Sequence, residues 1–387
     1  MPHLEQLLST QGYAKSTIQE KIQVLVDFDQ WLHKRRIKLA ALDGQHITRF
    51  LIHRRSRGHC RGGDPTTLRW LVEFLRGVGL IPTIETKPSP LDLIVTRFTE
   101  YLISERGLRQ ATIKNYLAEI RKFLLHRFQT DHVLLGELSP DDVTGFVLRR
   151  ARVVCAHRAQ VVAGSLRSFL RFLYERGHIG TDLAAAVPAV ANRRFLGLPK
   201  FLPPEQIESL LETCDGMTLT GRRDYAILLL LARLGLRAGE VAHMAFDDLD
   251  WDAGEIVIRG KGRGEDRLPL PRDVGEALAG YLRQGRPRCS SRRVFIRLRA
   301  PHQGFAGPGV IGDVVRRALS RAGLNPAFKG AHLLRHSLAT RMLRAGASLS
   351  EIGEILRHRH PSTTEIYAKA DLAALHTVAQ PWPGGEV

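Results

Sequence analysis

The chain has 387 residues, 25% of them charged and 44% apolar, with a formal net charge of +18 at pH 7. That length calls for two or three domains, with cores large enough to need no disulfide or metal staple, and the composition excludes a disordered chain. The positive excess points to a polyanion: nucleic acid leads, because no basic amphipathic helix or lipid signal accompanies it to favour a membrane surface.

In chain order, the first half carries an internal repeat. Leu7 to Gly12, with Thr17 and Ile18 after it, is echoed by Leu102 to Gly107 with Thr112 and Ile113. Ile47-Thr-Arg-Phe50 is echoed by Val143-Thr-Gly-Phe146, and Leu68-Arg-Trp-Leu-Val-Glu-Phe74 by Leu166-Arg-Ser-Phe-Leu-Arg-Phe172. Three blocks in the same order predict a duplicated helical domain. Periodicity supports helices: Ile18, Ile22, Leu25, Phe28 and Leu32 share one face, as do Ile113, Tyr116, Leu117, Ile120, Phe123 and Leu124. Basic clusters recur at matching places, Arg54, Arg55 and Arg57 in the first copy and Arg149, Arg150 and Arg152 in the second. A charge run is usually a solvated face; its repetition, with the global charge, favours phosphate contacts.

The stretch from Pro188 to Pro204 is proline-rich, basic and aperiodic, and reads as a linker. The apolar run Ala226 to Ala232 stops at Arg233, far short of the roughly 20 residues a membrane span needs, so it reads as a buried core helix. Glu255–Arg259 and Asp266–Leu270 read as short strands joined by the glycine-rich turn Gly260 to Gly264. Ser348-Leu-Ser-Glu351 fits a capping box opening a helix that ends near His358, before Pro361. Ser362-Thr-Thr-Glu365 fits a second capping box, which would present Tyr367 in its second turn. The cysteines at 60, 155, 214 and 289 are widely spaced, as reduced thiols of a cytosolic protein would be, and no signal peptide is evident.

Cleaving a phosphodiester without a metal requires an in-line nucleophile, positive donors on the non-bridging oxygens and an acid for the leaving oxygen. Arginine suits the clamp because its planar fork matches phosphate and keeps its charge. Four boxes supply these parts: Leu234-Gly-Leu-Arg237 with Glu240, the hairpin lysine Lys261, His332-Leu-Leu-Arg335-His336, and Leu356-Arg-His358 followed by Tyr367. Taken singly, each has an ordinary explanation: a surface salt bridge, a solvated turn lysine, a satisfied polar pair, a core tyrosine. Together and in order they reverse that balance.

Over roughly residues 90 to 370 the chain resembles the tyrosine recombinase, or phage integrase, family. The spacing of nine residues from His358 to Tyr367 is the family's own. The resemblance implies that Arg237 and Arg335 clamp the scissile phosphate and His358 donates to it. It makes Lys261 the acid on the leaving 5′ oxygen and His332 an aid to proton transfer at the tyrosine hydroxyl. Tyr367 attacks to give a 3′-phosphotyrosine, and Glu240, one turn from Arg237, orients that arginine. No metal or cofactor is expected: Leu333 sits where H-E-x-x-H needs glutamate, and His358-Arg-His360 has no evident third ligand.

The expected architecture is mainly α. Residues 1–86 would be an extra helical copy, 90–188 a SAM-like core-binding domain, 189–204 a linker, and 205–387 a mostly helical catalytic domain with a small antiparallel sheet. The stretch Asp371 to Leu375 would be a tail helix, coupling subunits or packing on its own domain. Expected partners are double-stranded DNA and a tetramer assembled on it, of one chain or with sister recombinases, in the cytoplasm at the nucleoid. Integration, excision or transposition of mobile DNA would be the setting. Two alternatives stay open: a decayed accessory DNA-binding protein, and type IB topoisomerase-like relaxation. Two positions depart from the family pattern: Arg357 replaces the glycine of Leu-Gly-His, and Gly239 replaces a common serine.

Overall fold

The computed structural model describes residues 2–81, 89–128, 133–191, 200–259 and 264–370. Lys261, half of the interdomain stretch and the segment after Ala370 lie outside the described residues. Two compact units emerge: Pro82–Leu196 is one, and Met1–Ile81 with Gly197–Val387 is the other.

The first four helices are α1 (Pro2–Thr10), α2 (Lys15–Lys34), α3 (Gly44–Ser56) and α4 (Asp64–Gly77). They close on a core of their own that includes Leu25, Phe28, Trp31, Phe50 and Leu68. The unit Pro82–Leu196 repeats the plan with α5 (Pro90–Ser104), α6 (Gln110–Phe128), α7 (Pro140–Val153) and α8 (Ala156–Glu175). The duplication extends to packing. Phe28 meets Phe50 with ring centroids 4.8 Å apart, and Phe123 meets Phe146 at 5.2 Å. Both are tilted or edge-on aromatic pairs. Leu68 and Leu166 are both fully buried. Gly12 and Gly107 both turn the chain with positive φ, +84° and +56°. The copies have diverged at Phe74, which is exposed where its counterpart Phe172 is buried.

The caps follow local chemistry. Asp43 accepts from the backbone of His46 at the start of α3, and Ser139 and Asp142 close a reciprocal box at the start of α7. The basic clusters do not all face solvent, which corrects part of the phosphate-contact expectation. Arg54 is buried and bonded to Asp27 and Asp64. Arg150 donates to Glu119, a carboxylate 1% exposed that also takes Arg158 and Lys122. Such guanidiniums are occupied by internal carboxylates, because a buried charge needs a partner. Arg55, Arg57, Arg149 and Arg152 remain exposed.

In the C-terminal part the chain passes from the linker into Leu202, whose N–H donates to Ser337 Oγ (2.8 Å) in the interior. The helices α9 (Pro204–Glu212), α10 (Leu219–Arg233), α11 (Ala238–His243), α12 (Arg272–Gly280), α13 (Gly309–Arg321), α14 (His332–Arg344) and α15 (Leu349–Ile355) follow. The Leu-rich run of α10 is the core helix its composition predicts, with Ala226 to Ala232 all buried. No helix among the described residues is long and apolar enough to cross a membrane. A small antiparallel sheet has the order β1 (Leu249–Asp250), β2 (Glu255–Arg259), β3 (Glu265–Pro269). Ile256 pairs with Leu268 and Ile258 with Asp266. The hairpin strands stand within one residue of expectation; the two-residue β1 had no sequence signal.

Candidate active site

Two arginines are fastened to the ends of helices. Arg335, in the first turn of α14, is 3% exposed. Its guanidinium donates to the carbonyls of Gly235 and Leu356, which stand just past α10 and α15. Carbonyls at helix C-termini lack intrahelical partners and lie at the negative end of the dipole, so a cation there is doubly favoured. Gly235 is required: its φ is +58°, and a Cβ would stand 2.7 Å from Leu356 Cδ2.

Arg237 precedes α11. Its backbone N–H and its Nη1 both donate to Glu240, each at 2.7 Å, and its Nη2 donates to the carbonyl of Arg357 at 2.8 Å. Glu240 thus holds Arg237 by side chain and main chain together. Burial opposes charge on Glu240, but the Arg237 N–H and the Arg357 and Arg237 guanidiniums outweigh it, and its pKa is lowered.

The third and fourth boxes meet at Tyr367. Ser348 and Glu351 form the reciprocal cap of α15. Past that helix, His358 Nδ1 and Thr364 Oγ1 share a hydrogen bond of 2.7 Å, which fixes the imidazole. The second capping box does not form. Pro361–Thr363 and Glu365–Ala370 are 3₁₀ turns, and the hydroxyl of Thr364 is engaged by His358. Tyr367 lies in the second turn, 1% exposed, its ring parallel to that of His358 with centroids 6.4 Å apart.

The hydroxyl of Tyr367 lies 2.8 Å from Nδ1 of His336, a residue of the third box for which the resemblance implies no role. His332 is exposed at the rim and its imidazole makes no hydrogen bond among the described residues; its ring centroid is 6.3 Å from that of His336. The H-x-x-R-H spacing could have signalled this, because His332 and His336 stand one turn apart on α14. Arg237, Glu240, His332, Arg335, His358 and Tyr367 therefore gather in one place, and Lys261 lies outside the described residues.

The electrostatics are those of an anion site. Burial and the neighbouring Arg237 and Arg357 push Arg335 down to about 10, still charged at neutral pH. Burial, His332 and Arg335 bring His336 to about 4, and burial with Arg335 and Arg237 brings His358 to about 4. Crowding by the protein, then Arg335 and Arg237, lower His332 as well. Burial raises Tyr367 to about 12, opposed by Arg335. At neutral pH the tyrosine is therefore a phenol and the imidazole beside it neutral, the two sharing one hydrogen bond.

These shifts predict a pH dependence of stability. Folded-state pKa values of about 4 lie below the ordinary 6.5, so as pH falls the unfolded chain takes up protons first. The contribution of the neutral histidines is complete above about pH 6.5 and is lost on the way down to about pH 4. Melting curves at pH 7.5 and 5.0 should show a lower Tm at 5.0, and His336→Gln should shrink the difference. An unchanged difference in that variant contradicts the assignment.

Comparisons with known proteins give the family. Residues 200–373 match the phage integrase family, and residues 95–177 match the phage integrase N-terminal SAM-like domain. The chain is 44% identical over 387 residues to the protein named "Putative integrase/recombinase y4rA" of Sinorhizobium fredii, covering 99% of this chain and 94% of that one. It is 32% identical over 283 residues to the tyrosine recombinase XerD of Listeria monocytogenes, covering 71% of this chain and 93% of XerD. The fold is shared with the XerH recombinase bound to its difH substrate (TM-score 0.59, 18% identity, 78% of this chain and 99% of that one). It is also shared with a lambda integrase dimer on a core site (TM-score 0.55, 19% identity, 76% and 98%). The chain belongs to the phage integrase family of tyrosine recombinases, DNA strand transferases that carry out site-specific recombination.

Proposed function

We propose that the protein breaks and rejoins DNA strands through a 3′-phosphotyrosine at Tyr367. The observation that carries this reading is the 2.8 Å contact of the Tyr367 hydroxyl with His336 inside a cluster of cationic groups around Arg335. In the forward step the phenol oxygen bonds to phosphorus and the bond from phosphorus to the 5′ oxygen breaks. His336 is placed to take the phenol proton, with His332 a turn away at the rim. The leaving oxygen needs a proton, and Lys261 is the residue the family resemblance assigns to give it. Arg335, Arg237 and His358 hold the non-bridging oxygens. Burial first, and then the cationic neighbours Arg237 and Arg357, disfavour the charge on Arg335, and an arriving phosphate offsets both. The ester retains the energy of the broken bond, so religation needs no ATP.

The substrate is double-stranded DNA, and the working assembly is a tetramer on two sites. Support comes from fold relatives described as a post-cleavage complex and as a tetramer on a Holliday junction. Residues 1–94 lie outside both family models. As a second copy of the helical unit, the N-terminal bundle is proposed to extend the grip on DNA, with Arg55 and Arg57 exposed on it and Arg149 and Arg152 exposed on the other unit. A cleft of about 870 Å³ beside Trp31, Arg35 and Arg57 lies on that bundle. Mobile DNA moved by integration, excision or transposition is the proposed setting, in the cytoplasm.

The test is exchange between two labelled duplexes taken from either side of its own gene, in EDTA without ATP. Recombinant strands are expected. Relaxation of any supercoiled plasmid without exchange would move the reading to a topoisomerase, and bound but uncut DNA across a broad set of sites to an accessory binding protein.

A further inference from the structure

The family resemblance leads one to expect glycine between Leu356 and His358, and the backbone explains why. Residue 357 closes α15: its N–H donates to the carbonyl of Glu354 (2.9 Å), and the N–H of His358 donates to that of Gly353 (2.8 Å). This paired closure places residue 357 in the left-handed region, the ordinary station of glycine. Arg357 sits there with φ +54°. An L side chain adopts that backbone at a cost, which asks what the side chain contributes.

The side chain is only 7% exposed. Its Nη2 donates to Glu240 Oε2 at 3.0 Å, on a carboxylate 8% exposed. Its buried Nε makes no hydrogen bond among the described residues and faces Asp266 of β3 at 3.9 Å. Its carbonyl accepts from Arg237 Nη2. One residue therefore holds Arg237 twice, directly through its main chain and indirectly through Glu240. The charge arithmetic matters too. Arg237 and Glu240 alone form a pair of zero net charge, poorly suited to attract a phosphate. With Arg357 the three groups carry +1.

We propose that Arg357 is a positioning residue: by sharing the carboxylate of Glu240 it leaves Arg237 an oriented fork with positive charge to spare for the scissile phosphate. This rests on the reading of Arg237 as part of the phosphate clamp. The unsatisfied Nε facing Asp266 extends the same link towards the hairpin stem.

The backbone gives a clean test, because glycine suits residue 357. Arg357→Gly, Arg357→Lys and Arg357→Gln would be compared with the unaltered protein in single-turnover cleavage of nicked duplexes. The scissile phosphate would be natural in one set. In the other it would be a methylphosphonate, in which an uncharged methyl replaces one non-bridging oxygen. Arg357→Gly should melt no lower than the unaltered protein and bind DNA within about threefold, yet cleave the natural substrate roughly tenfold more slowly. Arg357→Gln should resemble it, and Arg357→Lys should recover most of the rate. On the methylphosphonate the deficit should shrink to about threefold or less, since the charge that Arg357 serves is gone. Natural-substrate cleavage by Arg357→Gly at the unaltered rate, or an equal deficit on both substrates, would overturn the proposal. Tyr367→Phe is the blank: if the unaltered protein forms no more adduct than this blank, the functional reading fails, whereas a normal adduct with indifferent Arg357 variants sinks only the present inference.

Discussion

Arg335→Lys should lower the rate of DNA cleavage by about 10²- to 10³-fold while leaving DNA affinity within a few-fold. Arg335 reaches the carbonyls of Gly235 and Leu356 with two different nitrogens of one planar group. A lysine carries the same charge on a single point and cannot span both carbonyls while offering a fork to phosphate. Affinity is spread over many backbone contacts and changes little when one is weakened. Single-turnover cleavage beside a binding titration separates the two effects. A lysine variant cutting near the normal rate would show that charge alone suffices.

Gly235→Ala should cost about 2–4 kcal/mol of folding stability, a loss large enough to lower Tm by several degrees. Two penalties combine: a left-handed backbone at φ +58°, and a Cβ 2.7 Å from Leu356 Cδ2 and 3.0 Å from Leu338 Cδ2. Both leucines belong to the small core that also contains Tyr367. Any shift that accommodates the methyl moves the carbonyl that holds Arg335, so cleavage should fall along with stability. Denaturant melts and cleavage rates measured on the same preparation check this. A variant as stable as the parent would contradict the packing account.

Much of this site is legible along the chain because its boxes sit at element boundaries, where local chemistry is strong. The Ser348 and Glu351 cap and the hairpin strands both announce themselves within a few residues. What stayed hidden depends on partners far away in sequence. Arg54 reads as a phosphate contact until Asp27 and Asp64 are brought to it by neighbouring helices. The same is true of Arg150 and Glu119. Ser362 to Glu365 has the residues of a capping box, yet the hydroxyl of Thr364 binds His358 and the segment winds as 3₁₀ turns. The resemblance named His332 as the aid to the tyrosine, whereas the fold puts His336 against its hydroxyl. One helical turn separates them, and only the placement of Tyr367 distinguishes the two.

In the proposed reaction Tyr367 becomes covalently joined to DNA. The most direct measurement is to trap the protein on a labelled, nicked duplex, digest the complex with protease and find the labelled peptide by mass spectrometry. The expected product is a peptide containing Tyr367 esterified to a 3′ phosphate, formed in EDTA and absent from Tyr367→Phe. Label on any other residue, or an adduct that survives in Tyr367→Phe, would contradict it.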